Sequence, residues 1–410
     1  MPASTVVRAL FVTFIVTCIS ISADGTASAA PTAPSWSGMD VVDYSGVVPR
    51  QPGSVLQSVP LDRTLVDADF PQVRDARRFL YSSTDNTGAA TLSTAAVFVP
   101  SGVAPAGGWP VMAWAHGTVG IGDDCAPSGH SLNPGFSEET DFLNSFLDRG
   151  YAIVATDYAG AGTPGTQKYL NATSEGRNVI DSVRAVHNLG LELSENWSVV
   201  GFSQGGGAAL GTGSQVTQYS PDLAASFKGT VSIAGSANLE YLLPALGPGV
   251  PPVGLTVLNP RLSLYIALTL AGFRSFYPDL DLDSYLSPLG RDLLRHAEQV
   301  CFSSPDQATG YEDVVIGDMF VKPLGAISGI VDLFRTYQGS PVTGFDRPVL
   351  LLQGLLDKDV PMTFSNVATA PEIAARGRQV DVKIYPAYDH GTTIANAASD
   401  VHEFLEPLYR

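Results

Sequence analysis

Three short segments of the 410-residue sequence carry side chains that could act together in catalysis. The first is Gly201-Phe202-Ser203-Gln204-Gly205-Gly206, which follows the apolar run Ser198-Val199-Val200 and precedes the small-residue stretch GGAALGTG. G-x-S-x-G between a strand and a helix forms a sharp turn that exposes the serine oxygen, and that turn needs glycine on both sides of the serine. Side chains at 201 and 205 would collide with the neighbouring strand and helix, and Ser203 itself is expected in a strained conformation. A serine hydroxyl is a weak nucleophile until a base takes its proton. Among six histidines, His390 in Tyr388-Asp389-His390-Gly391-Thr392 lies between the last predicted strand and the last predicted helix, at a loop end that can face the serine. His116 reads as a loop-shaping residue, His130 as a loop residue, and His187, His296 and His402 as helix packing or surface. An imidazole base needs a carboxylate to fix its tautomer and stabilise its charged form. Gly354-Leu355-Leu356-Asp357-Lys358-Asp359 follows an apolar strand and offers two. Asp357, directly off the strand, is favoured as the acid, with Asp359 as the alternative. The oxyanion formed by attack on an acyl carbon needs N–H donors. The expected ones are the backbone amides of Gln204 and of Thr118, in His116-Gly117-Thr118-Val119-Gly120.

Elements that could hold these loops can be read from the apolar pattern. Near-continuous apolar runs predict strands at 93–100, 110–115, 151–156, 197–201, 229–234, 348–353 and 380–385, as expected for strands buried on both faces. Helical periodicity falls between them at 138–147, at 174–191 with Ser174 as N-cap, and at 393–408. Strands alternating with helices predict an α/β fold with a mostly parallel central sheet and flanking helices. About 110 residues between the strands near Gly229 and Pro348 show no βα unit. They include the apolar segment Leu262–Phe273, which reads as a buried helix and as a cap helix beside an apolar binding site. The stretch from Ala30 to about Pro71 reads as an extended lead that wraps the core.

Composition narrows the function classes. The chain is 45% hydrophobic and 15% charged with a net charge of −17. That fraction supports a buried core and excludes a disordered or collagen-like chain. The acidic balance, without a Lys/Arg cluster, argues against a nucleic-acid partner. Arg8 followed by the apolar run 9–23 and then Ala27-Ser28-Ala29 has the layout of a secretory signal, and 15 apolar residues fall short of the roughly 20 that span a bilayer. Removal of that segment would take Cys18 with it and leave Cys125 and Cys301. An even pair in an exported chain is most simply one disulfide. The expected organisation is signal 1–29, lead 30–75, core 76–235, cap or lid 236–345 and core 346–410.

Taken in order, several segments resemble the secretory lipase family of the α/β-hydrolases. They are LYSSTDNTG (80–88), WAHGTVG with DDCAPS (114–128), RGYAIVATDYAGAG (149–162), EGRNVIDSVRAVHNL (175–189), GFSQGG and GLLDKDVP. The resemblance implies Ser203 as nucleophile, Asp357 as acid and His390 as base. It also implies a Cys125–Cys301 bridge and a lid formed by the long insertion. The expected activity is secreted serine ester hydrolysis on triacylglycerols or related acyl esters, with no cofactor or metal. Alternatives are a short-chain carboxylesterase, an acyltransferase or peptidase of the same chemistry, and a non-catalytic binding protein. The expected partner is an acyl-ester or lipid substrate, with transient contact at a lipid interface and no stable protein partner. Sequons stand at Asn171 and Asn196.

Overall fold

A single nine-stranded sheet runs through the molecule in the order β1-β2-β3-β5-β4-β6-β7-β8-β9. The computed structural model describes residues 35–130, 137–249, 261–301, 310–311 and 313–410. The expected signal segment and Cys18 lie outside these. From Ser35 onward the described residues form one compact unit. The strands are β1 (Val55–Pro60), β2 (Val73–Thr84), β3 (Ala90–Pro100), β4 (Trp109–Ala115), β5 (Ala152–Thr156), β6 (Leu193–Phe202), β7 (Phe227–Ile233), β8 (Val349–Gly354) and β9 (Val380–Tyr385). The first three pair antiparallel, and β3 pairs antiparallel with β5. From β5 through β4, β6, β7 and β8 to β9 every pairing is parallel.

Among the described residues the helices of six residues or more are α1 (Arg63–Asp69), α2 (Ser137–Leu147), α3 (Ala172–His187), α4 (Gln204–Tyr219), α5 (Leu262–Phe276), α6 (Pro288–Ala297), α7 (Ile330–Gln338), α8 (Ala370–Ala375) and α9 (His390–Leu405), and all but α5, α6 and α7 pack against that sheet. Alternation of side chains along each strand feeds two cores, because successive Cβ atoms point to opposite faces. On one face Met112, Trp114, Ile153, Val200 and Leu352 pack with Phe142 and Phe146 of α2 and with Ile394 and Val401 of α9. On the other, Val111, Ala113, Val154 and Val199 meet Val179 and Val183 of α3 and Ala208 of α4. Burial on both faces explains why the central strands read as unbroken apolar runs. Among the described residues no helix is long and apolar enough to cross a membrane.

Two expectations need correction. The stretch read as an extended lead contains β1, α1 and, just beyond it, the start of β2. Helix α3 begins earlier than expected: Asn171 is its N-cap, and the Asn171 side chain accepts from the Ser174 N–H. Ser174 is therefore a capped position, not the cap. Asn171 is fully buried there, which leaves no room for a glycan.

Between β7 and β8 the chain leaves the sheet, and helices α5, α6 and α7 belong to this insertion. Their apolar faces share a core that also takes in Ile121 and Tyr169 from the body of the molecule. The segment expected as a buried helix is α5, whose residues Leu264, Ala267, Leu268 and Ala271 are all buried.

Candidate active site

Strand β6 delivers Ser203 and α4 begins at Gln204, the next residue. Ser203 adopts φ 55° and ψ −118°. This left-handed backbone is strained for a residue with a Cβ and costs on the order of 1–3 kcal/mol. The glycines on either side are required by contact. A Cβ on Gly201 would sit 2.0 Å from the Gly205 carbonyl oxygen, and one on Gly205 would sit 1.8 Å from that of Ala115. Both predicted collisions are present, the second with β4 itself. The turn is anchored by Ser203 N–H donating to the Ile233 carbonyl of β7 at 2.9 Å.

His390 is the first residue of α9, whose N-cap Asp389 forms a capping box with Thr392. Its Nε2 lies 2.9 Å from Ser203 Oγ and its Nδ1 lies 2.7 Å from Asp357 Oδ2. The ring rests against Phe202, centroids 4.7 Å apart. Asp357 stands just past β8 and is buried. Its carboxylate also accepts from Gln353 Nε2 at 2.9 Å and from the Val360 N–H at 2.8 Å. Burial alone would lower the His390 pKa; the hydrogen bond and charge of Asp357, with Asp359 and Glu139 farther off, raise it above its ordinary value. The structure thus brings together Ser203, His390 and Asp357, and such a chain can move a proton off the serine onto an imidazole held by an acid.

Asp359, the other carboxylate, is close but differently engaged. Its Oδ1 accepts from the Tyr265 hydroxyl of α5 at 2.9 Å. Oxygens of Asp357 and Asp359 and a ring nitrogen of His390 all lie within 4.8 Å of one another. The other histidines have separate roles. His116 is buried against Tyr158, with Nδ1 2.6 Å from the Gly117 carbonyl. His187 bridges the Val183 and Ser194 carbonyls. His296 stacks on Tyr311, and His402 packs on Phe146, where burial pushes its pKa down to about 4.

Ser203 opens into a cavity of about 70 Å³. Thr118 and Gln204, the expected donors, both border it, together with Tyr169, Leu170, Leu239, Leu262 and Tyr265. The Gln204 N–H belongs to the first turn of α4, where amides have no partner inside the helix. Tyr169 and Leu170 were not foreseen, since neither stands in a motif. Tyr265 had a faint signal, as the one aromatic with a polar tip in the apolar run of α5. Cys125, on the loop after β4, and Cys301, past the end of α6, form a disulfide with Cα atoms 5.1 Å apart. The adjoining Gly120 pairs with Cys301 as an isolated β-bridge. The loop that carries Thr118 is therefore tied to the insertion.

The fold recurs in solved structures. Candida antarctica lipase A in its closed state superposes with a TM-score of 0.72 at 18% identity, covering 88% of this chain and 82% of that one. The cell-wall-degrading esterase LipA of Xanthomonas oryzae gives 0.68 at 20% identity, over 88% of this chain and all of the esterase. The architecture is that of an α/β-hydrolase. A probable inactive lipase of Mycobacterium tuberculosis is 25% identical over 328 residues, 75% of this chain and 67% of that protein. Residues 135–363, more than half of the chain, match the model of the secretory lipase family, and the protein belongs to that family.

Proposed function

We propose that the protein is a secreted serine ester hydrolase that works through Ser203, His390 and Asp357. The observation that carries the reading is the unbroken pair of contacts, Ser203 Oγ to His390 Nε2 and His390 Nδ1 to Asp357. His390 takes the Ser203 proton as the oxygen attacks the ester carbonyl, and Asp357 stabilises the imidazolium. The N–H groups of Gln204 and Thr118 receive the oxyanion. His390 then protonates the departing alcohol, and a water repeats the sequence to release the acid. Export is supported by the family, by the Cys125–Cys301 bridge and by the signal-like start of the sequence.

The substrate is an acyl ester of the lipid class. Leu170, Leu239, Leu262, Val360 and Phe364 give the cavity an apolar wall suited to an acyl chain. Its volume has room for several water-sized groups, which favours short acyl chains unless α5 moves, so the short-chain carboxylesterase is the second reading. The inactive relative favours a third, a binding protein that keeps the fold without turnover.

Hydrolysis of p-nitrophenyl esters from acetate to palmitate, and of emulsified triacylglycerol, separates the first two readings. Activity confined to acetate and butyrate would reject the lipase. A fluorophosphonate probe should label Ser203, and Ser203→Ala should abolish both labelling and hydrolysis. Wild-type protein that takes no label at Ser203 would leave the binding protein as the answer.

A further inference from the structure

Behind the nucleophile the molecule buries a carboxyl group that the hydrolytic cycle does not use. Glu175 stands in the first turn of α3 and is fully buried. Its Oε1 accepts from Gln204 Nε2 at 2.6 Å and from the Leu170 N–H at 3.1 Å. Gln204 is the residue that follows Ser203. Leu170, at φ 63°, holds a backbone conformation uncommon for leucine and borders the Ser203 cavity. Tyr169, its neighbour in the chain, has its hydroxyl 2.7 Å from Thr118 Oγ1, while its carbonyl accepts from the Tyr337 hydroxyl at 2.9 Å. One run of hydrogen bonds and peptide units therefore joins Gln204 to Glu175, to Leu170 and Tyr169, and to Thr118. Its two ends are the residues whose amides are proposed to hold the oxyanion.

We propose that Glu175 is a positioning residue for the oxyanion site, fixing Gln204 directly and Thr118 through the 169–170 segment before substrate arrives. The inference rests on the serine-hydrolase reading. Donors aimed in advance lower the barrier because nothing must reorganise as charge develops. Release of one end of the run would let an amide drift, and a misplacement of about 1 Å costs on the order of 100-fold in rate.

The charge state of Glu175 follows from its surroundings. Burial pushes its pKa up to about 8, against the pull of the Gln204 and Leu170 hydrogen bonds. The titratable groups that face it are the tyrosines 158, 169 and 337, each raised by burial and so neutral through this range. Near neutral pH the carboxyl is protonated, and no negative charge stands behind the developing oxyanion. Ionisation above about pH 8 places one there and opposes the transition state.

The test compares wild type, Glu175→Gln and Glu175→Ala on a short-chain p-nitrophenyl ester, with circular dichroism and melting curves as the check on folding. Glutamine keeps an acceptor at the Oε1 position and cannot ionise. Its kcat at pH 7 should stay within about threefold of wild type, and the fall in rate above pH 8 should disappear. Alanine leaves Gln204 Nε2 and the Leu170 N–H without an acceptor, and kcat should fall by about 30- to 100-fold with KM nearly constant. Should the alanine variant fail to fold, Gln204→Ala cuts the same bond from the other side and must show the same split. The proposal is overturned by an alanine variant within threefold of wild type, by a glutamine variant as impaired as alanine, or by an alkaline fall that persists in the glutamine variant. Wild-type protein without Ser203-dependent hydrolysis overturns the serine-hydrolase reading itself, which separates the two failures.

Discussion

Asparagine at position 357 tests the assignment of the acid more sharply than any other single change. Three N–H groups converge on the Asp357 carboxylate: His390 Nδ1 and Gln353 Nε2 on Oδ2, and the Val360 amide on Oδ1. Asparagine has one oxygen to offer. If that oxygen takes the Oδ1 place, Val360 is satisfied, and the side-chain NH2 faces His390 and also Gln353 Nε2, which loses its acceptor there. The imidazole must then accept at Nδ1 and carry its proton on Nε2, pointing at Ser203, where it cannot act as a base. If the oxygen takes the Oδ2 place, the NH2 meets the Val360 N–H inside a buried pocket, and each unpaired donor costs about 1–3 kcal/mol. The first arrangement is the damaging one, and loss of the correct tautomer lowers kcat about 10⁴-fold, equivalent to roughly 5 kcal/mol of barrier. Asp359→Asn removes a nearby charge and keeps an amide oxygen that can still accept from the Tyr265 hydroxyl. Its loss should stay within about tenfold, as expected of a group outside the proton path. Stopped-flow release of p-nitrophenol, paired with melting curves, measures both variants. An Asp357→Asn enzyme within tenfold of wild type would refute the reasoning, and a larger loss in Asp359→Asn would transfer the acid role to that residue.

Serine at both Cys125 and Cys301 should destabilise the fold. The bridge closes a sequence separation of 176 residues, for which chain entropy suggests about 5 kcal/mol. Calorimetry should show Tm lower by about 5 °C or more; an unchanged Tm would mean that the insertion is held by packing alone. A second expectation concerns pH. His390 must be neutral to act as a base, and its pKa is raised above the ordinary value, chiefly by Asp357 against the opposing effect of burial. The acid limb of kcat/KM should therefore rise through a pKa above that of free histidine. In Asp359→Asn, which removes one of the charges that lift it, the limb should move to lower pH, and an unmoved limb in the pH–rate profile would show that Asp359 does not act on His390.

The central strands were legible because their burial is written into composition. Each of β4 to β8 carries an apolar run packed from both sides, and such runs are hard to read otherwise when Gly and Pro bound them. The first two strands, β1 and β2, were hidden by the same logic. β1, at the edge, leaves Gln57 and Ser58 exposed, and β2 opens with Arg74, Asp75, Arg77 and Arg78 within six residues. Arg78 is nevertheless buried, with Ser128 accepting from its Nε and Asp157 4.0 Å from its guanidinium. A charge satisfied by residues 50 and 79 positions away leaves no local pattern. The start of α3 was missed for a smaller reason: Asn171 caps by accepting from Ser174, and Ser174 looked like the better cap because the apolar stripe starts nearer to it.

Ser203, Asp357 and His390 were legible because each follows directly on a strand that could be read, so their order in the sequence predicted their meeting at one edge of the sheet. Glu175 was not, because it sits inside a helix, where a lone glutamate reads as a solvated residue until its burial is seen. This difference bears on whether the site is alive. The scaffold does not settle that, since a fold carries many functions and none by itself. Local strain and burial speak more directly. Ser203 at φ 55° holds a conformation that costs on the order of 1–3 kcal/mol. Asp357 is withdrawn from water, a position unfavourable for a carboxylate unless donors compensate it, and it is met by three N–H groups. A binding protein of this fold needs neither the strained serine nor the buried acid aligned on one imidazole. Their presence together at hydrogen-bonding distance argues for turnover, and Ser203 labelling is the measurement on which that argument stands or falls.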